Sequence, residues 1–70
     1  MLEDLAKAIL KAAKMREDSY NKRKRKYTTS LLDCCNTATK SVNGNLKDAK
    51  IVYTLLALGW NDAIDWAEQY

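Results

Sequence analysis

Leu2, Leu5, Ala6, Ile9, Leu10 and Ala13 step through the start of this chain by threes and ones. Residues spaced in this way fall on one side of an α-helix, because 3.6 residues complete a turn; a half-buried strand would instead alternate strictly. The same period returns in Leu31, Cys34, Cys35, Ala38 and Val42, and again in Trp60, Ala63, Ile64 and Ala67. The 70 residues include no Pro and only two Gly, so few positions interrupt a helix. The predicted fold is therefore all-α, a compact bundle of three to four short helices in one domain over residues 1–70. A chain this short buries only about 60% of the surface its unfolded form exposes, which makes the domain marginal in stability.

Local signals set the expected boundaries. The first helix runs from about Leu2 to about Glu17, with Glu3 and Asp4 at the positive end of its dipole. Thr28, Thr29 or Ser30 can cap the second through a hydroxyl that accepts a free N–H. Asn43-Gly44-Asn45 breaks the chain as a helix–helix turn, and Asn45 with Asp48 forms a capping box with a shortened acid. The next segment carries Leu46, Ala49, Ile51, Val52, Tyr53, Leu55, Leu56, Ala57 and Leu58. These cover most of its circumference and predict the central, most buried helix, with Gly59 closing it as a left-handed cap. A short last helix then begins near Asn61 or Asp62.

Several kinds of chemistry are absent. With no His, a nucleophile could find a base only among carboxylates and lysines, and no Gly-rich phosphate loop is present. Asp62 and Asp65 are spaced i,i+3, but acids in the first turn of a helix serve its dipole. Cys34 and Cys35 are adjacent, without the spacing of a zinc or redox site. About 100° apart on a helix, they read as reduced core residues of which only one points fully inward. The expectation is a non-enzyme with no cofactor and no metal. No stretch approaches the roughly 20 apolar residues of a membrane span, and Glu3 and Asp4 lie where a secretory signal carries positive charge. A soluble, reducing, cytoplasmic setting is expected.

Charge supplies the positive clue. The net charge is +3, from 12 Lys and Arg against 9 Asp and Glu. Five of the cations stand together as Lys22-Arg23-Lys24-Arg25-Lys26, and Tyr20 and Tyr27 flank them. Five consecutive residues wrap the whole circumference of a helix, so the run has no face to bury. It is either an exposed helical extension or a solvated connection. Such a cluster neutralises phosphates and releases condensed counterions. The expected function is a non-catalytic module that binds nucleic acid through this patch, with single-stranded or branched DNA preferred. Lys22 to Lys26 contact phosphates in this reading, Lys14 and Arg16 extend the patch, and Tyr20 and Tyr27 stack on bases. The alternative is a protein-binding adaptor or inhibitor. It would dock through Trp66, Tyr70 and the acidic last helix, where exposed aromatics make binding hot spots. Surplus apolar surface on the Leu46–Leu58 segment leaves open a monomer or a weak homodimer.

The stripe Leu2-Leu5-Ile9, the run Lys22 to Lys26 and the segment Leu46 to Leu58 closed by Gly59 carry a family resemblance. Together they resemble the small proteins encoded beside the UvsW helicase in T-even bacteriophages. That resemblance implies a four-helix bundle like the HRDC nucleic-acid-binding module of RecQ-type helicases. It also implies a helicase as a larger protein partner, a role in recombination or repair, and the host cytoplasm as location.

Overall fold

The computed structural model describes residues 2–70. They form four helices: α1 (Leu2–Asp18), α2 (Leu31–Ser41), α3 (Leu46–Leu58) and α4 (Trp60–Ala67). Between α1 and α2 lies a small hairpin of two-residue strands, β1 (Tyr20–Asn21) and β2 (Lys26–Tyr27). The protein is an all-α bundle, and none of these helices is long and apolar enough to cross a membrane.

Side chains close most of the helix ends. Ser30 accepts the Asp33 N–H at 3.1 Å and caps α2. Asn45 accepts the N–H groups of Lys47 and Asp48 while Asp48 accepts that of Asn45, which completes the capping box of α3. Ser19 donates its hydroxyl to the Arg16 carbonyl at 2.8 Å and ends α1. In the turn before α3 the left-handed residue is Asn43, at φ 63°. Gly44 is needed there for a different reason: a Cβ on it would collide with the Thr39 methyl group. Gly59 corrects its expectation, because its φ of −163° is extended rather than left-handed. It joins α3 to α4 directly, and the next helix begins one residue later.

The centre of the bundle also differs from expectation. Both α1 and α3 pack against all three other helices, but α1 buries the most residues: Ala6, Ala8, Ile9, Ala12 and Ala13. α3 buries only Ala49, Val52 and Leu56. Small residues decide the outcome: eight of the thirteen buried apolar side chains are alanines, so the helices approach closely at α1. Of the α3 leucines only Leu56 enters this thin core, and Leu46, Leu55 and Leu58 stay outside.

Both cysteines are fully buried, which corrects the expectation that only one would turn inward. α2 packs against α1 on one side and α3 on another, so residues 100° apart can both be covered. Burial raises the Cys34 thiol above its ordinary value, and raises that of Cys35 from 9.0 to about 11, with the Cys34 charge adding to it. The folded protein therefore holds this proton more tightly than the unfolded chain. Stability is unaffected below about pH 9, the unfolded value, and falls as pH rises toward about 11, where only unfolded chains release the proton. Urea melts across this range should show a steeper alkaline loss for the parent than for Cys35→Ala.

Thr39 is buried with no hydrogen-bond partner for its hydroxyl. An orphaned buried hydroxyl costs about 1–3 kcal/mol, and valine has the same shape without it. Thr39→Val should raise stability by about 1 kcal/mol; a lower melting temperature would show that the hydroxyl is satisfied.

Candidate functional site

The five-residue basic run is not a helical extension but a solvated connection between α1 and α2, folded as the tip of the hairpin. Helix is disfavoured here because Lys22 and Lys26 would repel at i,i+4, with no acid in the run to relieve them. Asn21 supplies the alternative, since its side-chain oxygen accepts the Lys24 N–H at 3.0 Å and bends the chain. Arg25 completes the reversal in the left-handed region, at φ 54°. Tyr20 then faces Tyr27 across the strands, and Asn21 faces Lys26. Two further bonds hold the base of the hairpin, from the Thr28 N–H and hydroxyl to the Ser19 carbonyl at 2.8 and 2.9 Å.

A two-stranded ribbon of this length has little stability of its own. Arg16, at the end of α1, secures it. Its guanidinium lies 3.9 Å from the centre of the Tyr27 ring and donates to the Thr29 carbonyl. Tyr20 packs edge-on against Tyr27, with ring centres 5.0 Å apart at 65°. One face of Tyr27 is thus covered by Arg16 and its flank by Tyr20. Both rings remain 42–45% exposed.

Lys22, Arg23, Lys24, Arg25 and Lys26 are all exposed, and none is in an ion pair among the described residues. The two proposed extensions of the patch divide. Lys14 pairs with Asp18 at 3.5 Å, on the surface, whereas Arg16 is half-buried and committed to Tyr27. Arg25, Lys26 and Tyr27 also form one wall of an open groove of about 690 Å³. Leu32 of α2 and Tyr53 of α3 line it as well, and no carboxylate does. Tyr53 had no functional signal in the sequence, because α3 read as buried on nearly every side, and Leu32 stood out from no pattern on α2. Only the way α3 is turned in the bundle leaves Tyr53 39% exposed beside the cations.

The residues of the protein-docking alternative lie elsewhere. Trp66 is half-buried, and its ring centre is 4.9 Å from that of the exposed Tyr70. Trp66 also lines an apolar groove of about 440 Å³ with Leu5, Leu55 and Leu58. Among the described residues no cluster of His, Cys, Asp or Glu is placed to hold a metal ion. Comparison with known protein families, with curated proteins and with solved structures finds no match to this chain.

Proposed function

We propose that this protein is a non-catalytic nucleic-acid-binding module whose contact surface is the basic hairpin and the groove beside it. One observation carries the reading: five consecutive, exposed, unpaired cations project on a turn and lead into a groove with an open aromatic ring and no acid. Phosphates lie along Lys22 to Lys26, giving affinity without sequence preference. An unpaired base, rather than a duplex, reaches the groove and rests on Tyr53 and Leu32. Tyr27 stiffens the hairpin through Arg16 and keeps only part of its ring for a base. A place beside a helicase, in recombination or repair, belongs to this proposal through the family resemblance alone.

Fluorescence anisotropy with labelled single-stranded and duplex DNA, across a range of salt, tests it. Binding should appear at low salt and weaken linearly in a log–log plot. Tyr53→Ala should lower single-strand affinity by about 1–3 kcal/mol, the usual worth of one stacked base, and leave duplex affinity unchanged. A parent protein that binds neither form at low salt would overturn the proposal.

A further inference from the structure

Eleven of the 12 Lys and Arg side chains are exposed; Arg16 alone is half-buried. It lies over Tyr27 and donates to the Thr29 carbonyl, but no carboxylate pairs with it among the described residues. A guanidinium drawn partly out of water without an opposite charge is left uncompensated. It carries five N–H donors, so one carbonyl does not exhaust them. Arg16 lines the groove beside Tyr53 and also a second groove, of about 410 Å³, with Leu56, Ala57 and Trp60. The two grooves share Arg16, Tyr27 and Leu31, so they meet at the guanidinium. Neither is lined by a carboxylate, and Trp60 is only half-buried.

We propose that the groove beside Trp60 is a second base subsite, entered by the same single strand that rests on Tyr53, with the phosphate between the two bases against Arg16. The inference rests on the single-strand reading above and extends it across the junction. A strand presents planar rings with an anion between them. The protein presents the complementary order: Tyr53 in one groove, a cation at the junction and Trp60 in the other. Stacking on an aromatic ring accepts any base, which matches phosphate contacts that carry no sequence preference. Arg16 is already held by Tyr27 and Thr29, so the phosphate meets a cation fixed in place before the strand arrives. A duplex keeps its bases paired and stacked, and cannot place two of them in the two grooves. Trp60 therefore adds to the preference for single strands.

The indole N–H resonances of the two tryptophans provide the test, followed by NMR in the isotope-labelled full chain. Oligothymidylate and a duplex are titrated in turn at low salt, and Trp66→Phe identifies which resonance belongs to Trp60. The Trp60 resonance should move with the single strand and stay in place with the duplex. Trp66 lines neither groove and should not respond. Trp60→Leu keeps an apolar side chain at the groove without the ring. It should lower single-strand affinity roughly five- to 150-fold, the usual range for one stacked base, and leave duplex affinity unchanged. A Trp60 resonance that stays still while Tyr53→Ala weakens single-strand binding overturns the second subsite and leaves the first. A folded Trp60→Leu variant that binds single strands as tightly as the parent overturns it too. A parent that binds no oligonucleotide overturns both subsites and leaves the grooves to an acidic peptide.

Discussion

Ile9→Ala is expected to lower the melting temperature by roughly 8–40 °C. Ile9 has no exposed surface and heads the fully buried side chains by volume, on the helix that buries the most residues. Removing a buried isoleucine to alanine costs about 2–5 kcal/mol in lost transfer energy and cavity. In a domain of this size each kcal/mol moves the midpoint by about 4–8 °C. Seventy residues at about 0.05–0.15 kcal/mol each have roughly 3.5–10 kcal/mol in total, so the loss removes a large share of it. Leu56→Ala, on α3 but 2% exposed, should fall in the same range. Leu58→Ala, two residues further and 82% exposed, should stay within about 0.5 kcal/mol. Thermal melts followed by circular dichroism separate the three. Equal effects of Leu56→Ala and Leu58→Ala would mean that α3 is turned differently from the arrangement described.

Neutralising the hairpin tip should remove most nucleic-acid affinity while leaving the fold almost untouched. The substitutions are Arg23→Ala, Lys24→Ala and Arg25→Gly. Glycine is chosen at position 25 because the residue sits at φ 54°, where a Cβ is strained. Each phosphate contact contributes roughly 0.7–0.9 to the slope of log affinity against log salt, so losing three should flatten it by roughly two to three units. These side chains are exposed and make no ion pair among the described residues, so the melting temperature should barely move. Single-strand binding undiminished in the variant would sink the assignment of the hairpin as the contact surface. Taken with Tyr53→Ala, the result also separates the two parts of the site. Loss with the triple variant but not with Tyr53→Ala would keep the phosphate contacts and discard the base in the groove.

The helical segments were legible because their signals are local. The 3.6-residue period of Leu2 to Ala13, the Ser30 cap and the Asn45–Asp48 box all act within a few residues. Each formed as the spacing required. The basic run was legible as exposed, but not as a hairpin. Strand alternation cannot show in two-residue strands, and the bend depends on one Asn21 side chain and one left-handed Arg25. Arg16 was visible only as another cation. Its role in holding Tyr27 needs the end of α1 to lie beside the returning strand.

The chain by itself determined which segments are helical, where most of them begin and end, and that a concentrated positive charge would remain in water. Those properties follow from backbone hydrogen bonding, capping and the cost of burying unpaired charge, all set by near neighbours in sequence. Tertiary structure decided which helix would be central. Composition favoured α3, since it holds the most large apolar residues, but packing favoured α1, whose alanines let three partners come close. Burial depends on how tightly surfaces fit as well as on how apolar they are. That choice put both cysteines inside, turned Tyr53 toward the basic hairpin, and left Ile51, Leu55 and Leu58 facing out.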